Sequence, residues 1–330
     1  MRQIVVRQPG AVEALELIDA PMPTPGPDEV LIKTAAMGVS RPDTLIRKGI
    51  YEWMPPLPAS PGNELTGVVE AAGADVRGID VGQPVLLSAR DLPVRGGCYT
   101  AYIAVPAAAV YPLDTNIDLA EAVVLPSYLV AYAMLNDLGL RGRITSIFIN
   151  GASGSVGGAL VELAKAEGLT VIGSAGSEQR AQYVRSLGAD HVLDYRRDPI
   201  IERVLALTGG RGVDAVFDHV IGAGFPDLLH MLADFGTLVF FNIHASLPDR
   251  DVFEEMRRTS TKSAALRCFN MHSYDHHPAR RRVLMTELIA LLHARRIRPR
   301  IGLRLPLEQA GEAHRLLEDG AVSGKIILTP

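Results

Sequence analysis

Ile147-Phe148-Ile149-Asn150-Gly151-Ala152-Ser153-Gly154-Ser155-Val156-Gly157-Gly158 runs a hydrophobic strand into a turn of small residues and then directly into a helix. A turn of this kind leaves unpaired backbone N–H groups and the positive end of a helix dipole facing outward, which suits a pyrophosphate. The dinucleotide fingerprint G-x-G-x-x-G, aligned on Gly154 and Gly157, has Ala152 at its first position. Ser153, between Gly151 and Ser155, also has the outline of a nucleophile elbow. Gly157-Gly158 and the alternating elements that follow favour the dinucleotide turn.

Outward from the turn, helices and strands alternate. A helix over Ala120–Asp137 precedes strand Ile144–Asn150, and helix Val156–Glu167 leads to strand Thr170–Ser174. Helix Glu178–Leu187, strand His191–Asp194, helix Ile200–Leu207, strand Ala215–Asp218, helix Pro226–Leu232 and strand Gly236–Asn242 continue the series. This is the pattern of an α/β doubly wound parallel sheet. The first 120 residues read instead as short strands: Arg2–Arg7, Leu15–Ile18, Glu29–Met37, Thr66–Ala72 and Val85–Ser88, separated by Pro- and Gly-rich turns. A helix over Arg281–Arg296, a second near Glu308–Glu318 and a strand Lys325–Thr329 close the chain.

Composition narrows the classes. The 330 residues are 48% apolar and 21% charged, with a net charge of −4, which suits a soluble globular protein rather than a disordered or nucleic-acid-coating one. Cys98 and Cys268 are too few and too far apart for a Cys-rich zinc site or a disulfide framework, and a reducing cytoplasm is the expected setting. The apolar stretch Ala122–Leu135 is too short to span a bilayer, and Met-Arg-Gln-Ile-Val-Val at the start reads as a strand, not a signal peptide.

The end of the second strand of a dinucleotide fold selects the cofactor. An acid there accepts hydrogen bonds from the adenosine ribose and repels a 2′-phosphate. Ser174 stands in that place, Gly176 leaves room, Arg180 opens the next helix, and Asp194-Tyr195-Arg196-Arg197 follows the third strand. Guanidinium groups suit a phosphate, so NADPH is expected over NADH; the bland alternative leaves Arg180 and Arg196 merely solvated. Glu178 reads as a helix-capping acid.

At this point the chain resembles the zinc-independent quinone oxidoreductase branch of the medium-chain dehydrogenase/reductase superfamily, the group of zeta-crystallin. Gly38–Tyr51, Pro61–Val69, Asn150–Gly158 with Gly188-Ala189-Asp190 and Asp194–Arg196, and Ser323–Pro330 carry the match in order. The resemblance implies a Rossmann domain, 121–255, inserted into a β-rich GroES-like catalytic domain made of 1–120 and 256–330. It implies NADPH contacts at Gly154, Ser155, Gly157, Gly176, Arg180 and Tyr195, with Asn242 and Lys325 near the cofactor. It also implies a homodimer joined at a sheet edge near Leu238–Ile243. Ser40, Leu45 and Val130 depart from the polar residues common in relatives, which bears on the substrate class.

In the zinc enzymes of the superfamily Cys and His stand where this chain has Ser40 and Asn63, poor zinc ligands both. His272, His276 and His277 read as surface histidines, so no metal is expected. The implied chemistry is hydride transfer from NADPH to a quinone or an α,β-unsaturated carbonyl, whose developing oxyanion needs hydrogen-bond donors. Tyr51, Ser40 and Asn63 are the candidates, with Tyr51 equally readable as a packing aromatic beside Trp53, and Asp43 as a structural carboxylate orienting the pocket. Loop 51–61 and segment 269–278 are expected to shape that pocket. Against this enzyme reading stands a binding protein with little turnover, in a structural or RNA-binding role. Residues 251–330 carry 14 basic against nine acidic residues, a local +5, but aromatic residues interleave poorly with them. No nucleic-acid or membrane partner is expected.

Overall fold

The computed structural model describes residues 1–241 and 246–330 and divides the chain into two units, Met1–Pro126 with Pro278–Pro330, and Ser127–His277. The first unit opens with β1 (Arg2–Val5), β2 (Glu16–Asp19) and the long β3 (Glu29–Val39). Helix α1 (Arg41–Lys48) precedes β4 (Glu64–Ala72), β5 (Pro84–Ser88), β6 (Tyr102–Pro106) and β7 (Val110–Pro112). Where the apolar run predicts one helix over Ala120–Asp137, there are two, α2 (Leu119–Ala122) and α3 (Leu125–Asp137). Pro126 explains the break, since a proline lacks the N–H that a continuous helix needs and is tolerated in a first turn.

The second unit is built on six strands: β8 (Ser146–Ile149), β9 (Thr170–Ala175), β10 (His191–Asp194), β11 (Val213–Asp218), β12 (Leu232–Phe240) and β13 (Ala265–Cys268). Helices α4 (Ser155–Ala166), α5 (Glu178–Ser186) and α6 (Ile200–Leu207) link the first four, and α7 (Val252–Arg258) lies between β12 and β13. Pro226–Met231, expected as an α-helix, is a 3-10 helix. All pairings are parallel, in the order β10-β9-β8-β11-β12-β13. This is the doubly wound 3-2-1-4-5-6 order, whose direction switches between β8 and β11. Phe148, Val216 and Leu238, side by side on three central strands, are buried in its core.

Two features of this unit differ from the sequence reading. The unit runs to His277 rather than 255, because β13 pairs with β12 through Thr237 opposite Ala265 to Phe240 opposite Cys268. β12, which contains Leu238–Phe240 of the expected edge Leu238–Ile243, is therefore interior, and β13 is the edge on that side. Asn242 and Ile243 lie outside the described residues.

The chain returns to the first unit with α8 (Pro278–His293), β14 (Ile301–Pro306), α9 (Ala310–Glu318) and β15 (Lys325–Thr329). The seven-stranded sheet has the order β14-β15-β3-β4-β5-β7, with β6 also paired to β3. Thus β15 lies inside the sheet, antiparallel to β3 and parallel to β14. Its Ile326 and Leu328 join Ile32, Met37, Leu65 and Leu87 in a separate core.

Candidate functional site

In the second unit the turn after β8 is held by a chain of polar contacts. Asn150 donates from Nδ2 to Asp218 at 2.7 Å and accepts at Oδ1 from the Ser174 hydroxyl at 2.8 Å. Ser174 in turn accepts the Gly151 N–H at 3.0 Å, and its carbonyl accepts the Ala152 N–H at 2.9 Å. These contacts tie the turn to the ends of β9 and β11 at the switch point. Gly151 has φ +70°, and a Cβ there would lie 2.7 Å from His219 Cε1, so the His219 imidazole packs directly on the turn.

The turn ends at Gly154, the exposed N-cap of α4, which has no side chain to cover the helix end. The first intrahelical bond there runs from the Gly158 N–H to the Gly154 carbonyl at 2.8 Å, while the Gly154 N–H turns back to the Gly151 carbonyl at 3.5 Å. Gly157 is needed for packing: a Cβ on it would meet Gly151 O at 2.8 Å and Ala152 Cα at 2.9 Å. Gly154, Ser155 and Gly157 thus come together in a cradle at the N-terminus of α4, a helix end of the kind that suits a pyrophosphate.

Beyond β9, Gly176 lies under Tyr195; a Cβ on Gly176 would be 2.2 Å from the phenol oxygen. Tyr195 is 46% exposed, and half-buried Arg180 stands in the first turn of α5, which Ser177 caps. Glu178, read as a cap, pairs with Arg185 at 2.7 Å. Ser174 has another part than the one expected of it. It is fully buried and bonded to the turn, so it positions the cradle rather than facing a ribose. Asn242 is outside the described residues.

In the first unit the candidates gather on one carboxylate. Ser40 is the N-cap of α1, and Asp43, three residues on, accepts the Ser40 N–H at 2.7 Å and its hydroxyl at 2.8 Å, both on Oδ2. Asp43 Oδ1 accepts the Gly62 N–H at 3.1 Å and Asn63 Nδ2 at 2.6 Å. The Tyr99 hydroxyl is 3.4 Å from Oδ2 and 3.2 Å from His314 Nε2. Asp43, Tyr99 and His314 are fully buried, while Ser40 and Asn63 are half-buried. Burial pushes the Asp43 carboxyl above its ordinary value, opposed by the hydrogen bonds from Ser40 and Asn63. Burial, helped by the Arg47 charge, pulls the His314 imidazole down to about 3.

Lys325, expected near a cofactor, is 1% exposed and ion-paired with Glu64 at 2.5 Å. Gly38 makes this possible, since a Cβ there would lie 2.1 Å from Glu64 Oε2 and 2.9 Å from Lys325 Cε. The Lys325 charge also lowers the Asp43 carboxyl, which makes it part of the Asp43 neighbourhood. Tyr51 is 8% exposed in an apolar cluster with Ile46 and Ala59, its ring edge-on to Trp53 at 5.7 Å. That is the packing alternative of its sequence reading. Tyr99, Glu64, His314 and His219 were missed. Glu64 lies within the Pro61–Val69 stretch and had a signal; the other three are single polar residues in ordinary elements.

Residues 26–115 match the family model of the alcohol dehydrogenase GroES-like domain, and residues 187–328 that of the zinc-binding dehydrogenase. A quinone oxidoreductase of Lama guanicoe is 30% identical over 331 residues, covering 99% of this chain and 97% of that protein. The human quinone oxidoreductase is 29% identical with the same coverage. Among solved structures, an NAD-dependent alcohol dehydrogenase has a TM-score of 0.89 at 30% identity, covering 100% of both chains. Escherichia coli quinone oxidoreductase, solved with NADPH, has 0.86 at 26%, again covering 100% of both.

The zinc in one family description does not fit the residues here. Ser40 and Asn63 are both bonded to Asp43, neither is a thiolate or imidazole, and among the described residues no three His, Cys, Asp or Glu side chains cluster to hold a metal. His272 instead pairs with Asp275 at 2.8 Å. Nor, among those residues, is any helix long and apolar enough to cross a membrane. A nicotinamide dinucleotide does fit the glycine turn after β8, at the switch point of the sheet and the N-terminus of α4. The chain is an oxidoreductase and belongs to the quinone oxidoreductase branch of the medium-chain dehydrogenase/reductase superfamily.

Proposed function

We propose that the protein is an NADPH-dependent reductase of electron-poor acceptors, either quinones or α,β-unsaturated carbonyls, that works without zinc. The observation that carries this is the Asp43 network: where a metal would polarise a carbonyl, Ser40 and Asn63 form a hydrogen-bonding pair fixed by a buried carboxylate. The cofactor choice rests on the end of β9, where Gly176 and Ser177 take the place of an acid, Tyr195 lies across Gly176, and Arg180 stands in the next helical turn.

NADPH, when bound, supplies the hydride. The N-terminus of α4 with Gly157 would hold its pyrophosphate, and Arg180 and Tyr195 would recognise the 2′-phosphate. Ser40 and Asn63, with Tyr51 on the pocket wall, hold the acceptor oxygen, on which negative charge grows as the hydride arrives. A proton from water completes the product. The proposed assembly is a cytoplasmic homodimer, for which β13, one of the two edge strands of the six-stranded sheet, offers a pairing edge.

The test is NADPH oxidation with 1,4-benzoquinone, 9,10-phenanthrenequinone, simple enones and enoyl thioesters. Acceptor-dependent turnover supports the proposal; tight NADPH binding with no turnover on any of them overturns it. Arg180→Ala is expected to lower the NADPH over NADH preference about tenfold or more, the worth of a hydrogen bond to a charged group. An unchanged preference refutes the 2′-phosphate assignment.

A further inference from the structure

We propose that Asp43 fixes the direction of the hydrogen bonds in its pocket, so that Asn63 donates to the acceptor oxygen while Ser40 presents only lone pairs. The inference rests on the reductase reading above and divides the work between two residues which that reading treats alike.

An ionised carboxylate accepts only. Each Asp43 oxygen takes a backbone N–H, Oδ2 from Ser40 at 2.7 Å and Oδ1 from Gly62 at 3.1 Å, and a backbone donor cannot reverse its role. Both oxygens are therefore held as acceptors. The Ser40 hydroxyl, 2.8 Å from Oδ2, has a single proton, and it is committed to Asp43. Asn63 lies 2.6 Å from Oδ1, and turning its carbonyl inward would set two acceptors against each other, so the amide nitrogen faces Asp43. That nitrogen carries two protons. One goes to Asp43, and the second has no partner among the described residues. Ser40 thus retains no proton for a ligand, and Asn63 retains one. Tyr99 backs the carboxylate from the buried side, between Asp43 and His314. Asp43 is then a positioning residue, and Asn63 the catalytic one.

The experiment compares Ser40→Ala, Asn63→Ala, Asp43→Ala and the Asp43→Ala/Ser40→Ala double variant, with 1,4-benzoquinone as acceptor and NADPH affinity measured alongside. Asn63→Ala is expected to lower kcat by about 10²-fold with NADPH affinity retained, as for loss of one oxyanion donor. Ser40→Ala should cost less than about tenfold. In Asp43→Ala the acceptor of the Ser40 hydroxyl is gone and its proton is free, so Ser40→Ala should cost more there than in the wild type. Equal losses from Ser40→Ala and Asn63→Ala, or a Ser40→Ala cost that is the same in both backgrounds, overturn the proposal. If Asp43→Ala does not fold, Ser40→Ala and Asn63→Ala decide alone. Without turnover in the wild type the reductase reading fails, yet the bond direction is still read by NMR of 15N-asparagine-labelled protein. A strongly downfield Asn63 side-chain N–H supports it, and no such signal overturns it.

Discussion

The α4 cradle and the Asp43 pocket are built from opposite materials. The cradle is made by what is missing: Gly154 puts no side chain on the helix end, Gly157 lets the backbone of Gly151 and Ala152 approach, and Gly176 lies beneath Tyr195. The pocket is made by charged and polar side chains packed where water is excluded, with Asp43 among five donors and Glu64 against Lys325. A site of the first kind fails when atoms are added, and one of the second kind when they are removed.

The largest expected effect is in the pocket. Lys325→Met leaves the Glu64 carboxylate buried without its cation and should cost about 3–5 kcal/mol of stability, read by chemical denaturation. Replacing Glu64 by Gln in the same protein should recover part of it; no recovery would mean that Lys325 acts through packing rather than charge. On the other side, Gly157→Val pushes a side chain into two backbone atoms, and overpacking of about 1–3 kcal/mol should weaken NADPH binding up to about 10²-fold by calorimetry. Unchanged affinity would break the account of the cradle. The smallest effect is a pH dependence. His314 is held neutral, its value depressed from 6.5 to about 3, so between those values the unfolded chain binds the extra proton. The stability of the neutral imidazole is complete above 6.5 and is lost as pH falls toward 3. The denaturation midpoint of His314→Leu should therefore fall less steeply than that of the wild type over this window.

The same contrast explains what the sequence revealed. Glycine spacing between a hydrophobic strand and a helix is local, and Gly154 and Gly157 align with the dinucleotide fingerprint on spacing alone. The central strands, apolar on both faces, were equally plain. β13, Ala-Leu-Arg-Cys, was not, because an edge strand with mostly exposed side chains has no apolar pattern to read. Ser174 was misjudged because its distance from the turn gives its rank in the strand but not that its hydroxyl points back at Gly151. The Asp43 pocket draws on α1, the Pro61–Asn63 segment, Tyr99 and α9, and no periodicity in the chain connects residues so far apart. Ser40 and Asn63 were found through the family pattern, not through spacing.

Lys325 begins β15, a strand inside the first sheet that emerges from the ribosome after the whole second unit. Ser127–His277 carries its own core and has every strand of its sheet once residue 268 is made, so it can fold while synthesis continues. The first unit has to wait. Until residues 325–329 arrive, β3 lacks a neighbour and Glu64 has no cation, so a nascent chain cut short of Lys325 would carry a formed nucleotide cradle beside an unfinished partner.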